Sequence, residues 1–231
     1  MRPMAGAVCG LAILLAGPGM AENVVVVELF TSQGCISCPP ADAYLEMMTA
    51  DPRLMPLSLH VDYWDYIGWE DSFADPRFTE RQKAYARAIG SRTIYTPQFI
   101  IDGEDRIEGF APDETMAQLR AHLEAAPPVH LSVARQGAQV TIRATADPPL
   151  DGPVRVQLVR YVPAETVTIE RGENAGRTVT YRNIVTSWDT IGEWSGREPL
   201  EMSTDAPGDL PAVVIVQKPG PAAILAAARA E

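Results

Sequence analysis

Cys35 and Cys38 stand two residues apart, as Cys35-Ile36-Ser37-Cys38, and theirs are the side chains best suited to covalent chemistry. The run before them, Val24 to Phe30, is apolar apart from Glu28 and begins with four valines. It reads as a strand buried on both faces. Thr31 to Gly34 reads as a loop, and a helix is predicted from about Ser37 to Thr49, ended by Asp51-Pro52. The pair therefore falls where a strand hands over to a helix. A helix N-terminus carries free N–H groups and the positive end of the dipole, both of which favour an anion. A Cys35 thiolate gains stability there and becomes a nucleophile. Attack on a substrate disulfide gives a mixed disulfide, which Cys38 resolves. Pro39 and Pro40 are tolerated in the first helical turn, whose N–H groups lack intrahelical acceptors. Cys35 is expected to be the exposed thiol and Cys38 the buried one. Spacing alone leaves open a structural disulfide or half a metal site. A structural zinc site wants four ligands.

Positioning these residues requires a scaffold, and the chain supplies one. Leu57 to Val61 reads as a second strand. Asp75 caps a helix with Pro76 at its first position and Gly90 past its end, with Phe78, Gln82, Tyr85 and Ile89 on one face. Phe99 to Asp102 is a strand, and Asp102-Gly103 turns it tightly into Arg106 to Glu108. Asp113 caps a further helix with Met116, Leu119 and Leu123 as its apolar stripe. This order fits a mixed sheet flanked by helices on both faces. Ala126-Pro127-Pro128 breaks the pattern and marks a boundary. Beyond it the period switches to two, at Leu131 and Val133, Val140 and Ile142, and Val154, Val156 and Leu158. Val179, Tyr181 and the run Ala212 to Val216 add strands. These predict a small all-β, sandwich-like domain over residues 127–231, after an α/β domain over 22–126. Trp188 and Trp194 are assigned to the β-domain core. Glu170 to Arg177, with Gly172 and Gly176 allowing tight turns, either folds over the redox site or simply joins two strands, and general loop behaviour favours the plain loop.

The chain has 231 residues, is 46% hydrophobic and 21% charged, and carries a net charge of -11. Such acidity argues against nucleic acid, whose binding rests on Lys and Arg, and against an anionic membrane surface. Arg2, the short apolar stretch Val8 to Ala16 and the small residues of Gly19-Met20-Ala21 read as a signal peptide over residues 1–21, cleaved after Ala21. Cleavage removes Cys9 and leaves only Cys35 and Cys38. An even pair in an exported chain suggests a disulfide. The expected location is the periplasm or the secreted fraction.

Two further segments resemble known proteins. Tyr95-Thr96-Pro97-Gln98-Phe99-Ile100 resembles the thioredoxin-superfamily segment in which a cis-proline packs against the CxxC pair. The resemblance implies that Pro97 and Thr96 position an extended substrate by a short β-augmentation. Members of that superfamily often bury an acid under the cysteines, and Glu28, on the strand leading into the active-site loop, is the expected proton shuttle. Burial would raise its pKa. Glu28-Leu29-Phe30-Thr31-Ser32-Gln33-Gly34-Cys35, then Cys38-Pro39-Pro40-Ala41-Asp42, is similar to an uncharacterised family of exported thioredoxin-like proteins, a domain of unknown function. His60-Val61-Asp62-Tyr63-Trp64-Asp65 and Gly172-Glu173-Asn174-Ala175-Gly176-Arg177 match the same family. The resemblance implies a thioredoxin-like domain followed by a β-domain.

Asp62, Tyr63 and Trp64 lie after a strand, in an aromatic and acidic loop that could hold a peptide. The leading expectation is an exported thiol–disulfide oxidoreductase acting on protein or peptide thiols. Its redox group is the Cys35–Cys38 pair itself, with no metal or other cofactor, no nucleic acid partner, and no membrane association after signal cleavage. Two other readings remain: a copper-handling metallochaperone using both cysteines and His60, since thiolate plus imidazole suits copper, and a peptide-binding module whose disulfide is structural. His122 and His130 have no evident convergent partners.

Overall fold

The computed structural model describes residues 24–230; the predicted signal peptide lies outside the described residues. β1 (Val25–Thr31) is buried along its whole length. It runs between β2 (Leu54–His60), which is parallel to it, and β3 (Gln98–Ile101), which is antiparallel. Strand alternation sends its residues to two different layers. Val25, Val27 and Leu29 pack with Ala41, Leu45 and Met48 of α1 (Pro39–Met48) and Leu119 of α3 (Pro112–Glu124). Val26 and Phe30 pack on the other face with Phe78 and Tyr85 of α2 (Pro76–Ala88). Each fully buried side chain of this kind contributes roughly 1.5–3 kcal/mol of apolar transfer. β4 (Asp105–Glu108) completes a hairpin with β3, turned at Asp102 and Gly103, both with positive φ.

Asp75 caps α2, its Oδ1 accepting the Arg77 N–H at 2.8 Å. The cap of α3 falls earlier than the sequence suggests. Ala111 is its N-cap residue, Pro112 leads the first turn, and Asp113 lies inside that turn, where its charge suits the dipole.

The remaining strands are β5 (Val129–Gln136), β6 (Gln139–Ala146), β7 (Val154–Thr168), β8 (Thr178–Trp194), β9 (Leu200–Asp205), β10 (Ala212–Gln217) and β11 (Ile224–Ala230). The connection at residues 125–128 separates α3 from β5, but both halves contribute to one sheet. Its order is β11-β10-β7-β8-β2-β1-β3-β4, joined where Ser58 of β2 pairs with Ile184 of β8. A second sheet, β5-β6-β9, packs over β7, β10 and β11, with Leu131 and Ile142 against Val156, Val214 and Leu225. Trp194 joins that core, whereas Trp188 packs toward the first half of the chain, beneath the Arg81 guanidinium at 3.6 Å. β7 and β8 form a hairpin of 15- and 17-residue strands.

Candidate redox site

The loop after β1 delivers the cysteines to the start of α1. Cys35 N donates to Ser32 O at 3.1 Å and Cys38 N to Cys35 O at 3.2 Å, which curls the loop into a turn. Cys35 and Cys38 are joined by a disulfide. Both residues are 0% exposed, while Ile36 between them is 47% exposed. Cys35 is therefore as buried as Cys38, contrary to the expectation from the sequence.

The anion-binding argument changes in detail as well. Pro39 and Pro40 have no N–H, and the next two donors, Ala41 N and Asp42 N, both bond Cys38 O. The polar group beside the Cys35 sulfur is instead the Ser37 hydroxyl, with Oγ 3.4 Å from Sγ.

Ser37 Oγ also donates to Thr96 O at 3.4 Å. The Thr96–Pro97 bond is cis. Trp64 Nε1 donates to Thr96 Oγ1 at 2.6 Å, so Trp64, Thr96 and Ser37 form one chain of contacts ending at the disulfide. Tyr63 Oη bonds Gln82 Oε1 at 3.2 Å, and Gln82 Nε2 donates to Tyr95 O at 2.6 Å, which braces the same segment. Asp62 is turned away toward α2, where it accepts from the Thr79 hydroxyl.

Glu28 does not join this group. It shares a strand face with Val26 and Phe30, on the α2 side, and Arg81 donates to both its carboxylate oxygens at 2.6 and 2.8 Å. Tyr85 Oη bonds the same carboxylate at 2.5 Å. The predicted shuttle is thus a buried ion pair on the opposite face, because residue 28 is an odd number of positions from Thr31.

A second buried acid, Asp42, lies one helical turn beyond Cys38, its backbone N–H donating to Cys38 O at 3.1 Å. Thr31 Oγ1 donates to its Oδ1 at 2.8 Å. Burial pushes the Asp42 carboxyl up to about 7, against the opposing pull of His60 and of the Thr31 bond. Thr31 and His60 are register partners on adjacent strands, and Ser58 shares the face of His60. Asp42 Oδ2, Ser58 Oγ and His60 Nε2 are all buried without a hydrogen-bond partner among the described residues.

His60 Nδ1 lies 2.7 Å from Asp71 Oδ2, and its ring is held edge-on between Phe73 and Tyr181. Burial works against the Asp71 charge, but His60 and the donated Gln33 and Phe73 N–H groups hold it below the ordinary carboxylate range. Among the described residues no three His, Cys, Asp or Glu side chains are grouped to hold a metal ion. His122 does have partners: Asp105 at 2.7 Å and Asp102 at 3.4 Å, which raise it to about 9 against the effect of its burial.

Gln33 and Asn174 are the residues that sequence reasoning passes over. Gln33 Oε1 accepts from Trp69 Nε1 at 2.7 Å, and its backbone N–H is bound by Asp71. Asn174, at the tip of the β7–β8 hairpin, is 1% exposed. Its Nδ2 donates to Gln33 O at 2.9 Å and to Cys35 O at 2.8 Å. The segment read as a plain loop therefore sits on the cysteine turn.

Fold and site together define a mixed α/β protein, its large sheet flanked by helices, with a disulfide-bonded CxxC pair at the start of a helix. The chain belongs to the DUF1223 family, described as proteins of unknown function, whose model matches residues 26–217. It is also similar to an X-ray crystal structure of a protein from Agrobacterium tumefaciens, a structural genomics target. Identity is 34% over 90% of this chain and 95% of that one, with a TM-score of 0.78. No protein of curated function matches the chain. No helix among the described residues is long and apolar enough to cross a membrane.

Proposed function

We propose that the protein is an exported thiol–disulfide oxidoreductase built on a thioredoxin-like first half. One observation carries the reading: a Cys35–Cys38 disulfide at the start of α1, with a buried acid of raised pKa one turn beyond it. The order β2-β1-β3-β4, with α1 and α3 on one face and α2 on the other, supports the fold assignment. A disulfide as the only pair of cysteines left after leader removal supports export, since such bonds persist in oxidising compartments.

In the exchange, the Cys35 thiolate attacks a substrate disulfide. A Cys35–substrate bond forms and one substrate sulfur leaves as a thiolate. Cys38 then gives its proton to the Asp42 carboxylate and attacks the Cys35 sulfur. The second substrate thiolate departs, and the pair ends as a disulfide with two electrons passed to the substrate. The reverse sequence oxidises a substrate dithiol. Thr96 O meets the Ser37 hydroxyl that lies beside the Cys35 sulfur, the cis Pro97 follows it, and Trp64 fixes Thr96.

The test is trapping in the exported compartment. Cys38→Ala should accumulate a mixed disulfide through Cys35, and Cys35→Ala should trap little. If neither variant captures a thiol partner, the oxidoreductase reading fails and the structural-disulfide reading replaces it.

A further inference from the structure

The β7–β8 hairpin rises from the second half of the chain and ends on the cysteine turn. Its stem is tied to the cysteine helix, since Arg182 Nε and Nη2 donate to Glu46 Oε1 at 2.9 and 2.6 Å. Its tip folds on itself: Ile169 N donates to Arg177 O at 2.9 Å and Gly176 N to Ile169 O at 2.7 Å. Ile169 is fully buried. Gly172 has φ +78° and lies against Trp69, where an added methyl would sit 3.2 Å from Trp69 Cβ. Trp69 in turn bonds Gln33. The tip thus grips the cysteine turn twice, through Asn174 on two carbonyls and through Gly172 on Trp69.

A thiolate must approach a disulfide sulfur from outside, along the bond it will break. Both cysteines are 0% exposed in the disulfide form. We propose that the hairpin tip is a latch over the Cys35–Cys38 disulfide and that Asn174 is the positioning residue that keeps it shut. A thiol reaches the sulfur only after the tip lifts, and a partner that displaces Asn174 from the Gln33 and Cys35 carbonyls gains access that a small thiol lacks. Its role as a selector of partners rests on the oxidoreductase reading; the latch itself does not.

Reduction of the folded, oxidised protein by dithiothreitol tests the latch, followed by trapping the freed thiols with an alkylating agent. With the native protein the rate should level off at high dithiothreitol, at the rate at which the tip opens. A rate that rises linearly to the level of oxidised glutathione overturns the proposal. Asn174→Asp keeps the shape but cannot donate, and Gly172→Ala crowds Trp69 at a φ that suits glycine. Both should speed reduction by roughly tenfold or more, the first by losing two buried hydrogen bonds and the second by crowding and backbone strain at Gly172. Rates within twofold of the native protein in both variants also overturn it. The native-protein plateau needs no variant to fold. Trapping of partners by Cys38→Ala is a separate readout, so failure of the latch and failure of the oxidoreductase reading are distinguishable.

Discussion

Two buried acids, three positions short of Thr31 and one turn past Cys38, meet different fates. Glu28 is neutralised by a bidentate Arg81, whereas Asp42 has one hydroxyl bond and a second oxygen with no partner among the described residues. The sign of the consequence follows from linkage. With its pKa raised from 3.8 to about 7, Asp42 holds a proton in the native state that the unfolded chain has already lost. Its contribution to stability is therefore lost as pH rises through that window. Asp42→Asn should be more stable than the parent at pH 8, by at least about 3 °C in Tm, with the gap closing below about pH 4. The same variant should slow disulfide exchange at least about tenfold, because Cys38 loses its proton acceptor. Denaturation curves at the two pH values and exchange kinetics check both halves. Asp42 is legible in the sequence as the residue four after Cys38 on a predicted helix. It is eclipsed by Glu28 because a strand acid just before the cysteines fits the superfamily pattern, while strand alternation sends it to the other face.

Helix and strand predictions hold best where one periodicity dominates. The valine run that opens β1, the Asp75-Pro76 start of α2 and the Asp102-Gly103 turn are local signals and lie where expected. β2 begins at Leu54, three residues before the predicted Leu57, because pairing with Val25 and Val26 outweighs the local disfavour of Pro56. The Glu28–Arg81 pair is the element-scale counterpart of this order, since it fastens α2 to the central strand. Glu28→Ala would leave Arg81 charged and buried, with a side chain only 11% exposed. It should cost about 3–5 kcal/mol of stability by chemical denaturation. Disulfide exchange by the folded variant should nonetheless proceed at the native rate. A large rate loss without a stability loss would return Glu28 to the redox machinery.

The whole molecule departs furthest from what the sequence suggests, because residues distant in the chain decide it. Alternation identifies β7 and β8 as strands and the apolar run Ala212 to Val216 marks β10, while β11 carries no such signal, and none of these says which sheet receives them. Ser58 and Ile184 meet at a single register pair, and the first half's core borrows Val159, Tyr161, Val185, Val213 and Ile215 from the second half. A fragment ending at residue 126 would therefore expose the β2 edge and those apolar contacts. It should be aggregation-prone or unfolded by circular dichroism, whereas the full chain melts as one unit. A cooperative, soluble fragment would show that the second half is an accessory.

The hairpin's reach also has a temporal side. Asn174 follows Cys35 by 139 residues. At ordinary elongation rates of about 5–20 residues per second, about 7 to 28 seconds separate their synthesis. The nascent chain thus presents both thiols uncovered well before the segment that shuts them away exists. On the proposed oxidoreductase reading, oxidation of the newborn protein and exchange by the finished one are then governed by different rules of access. The first is open to any oxidant the chain meets, and the second is granted by whatever lifts the tip.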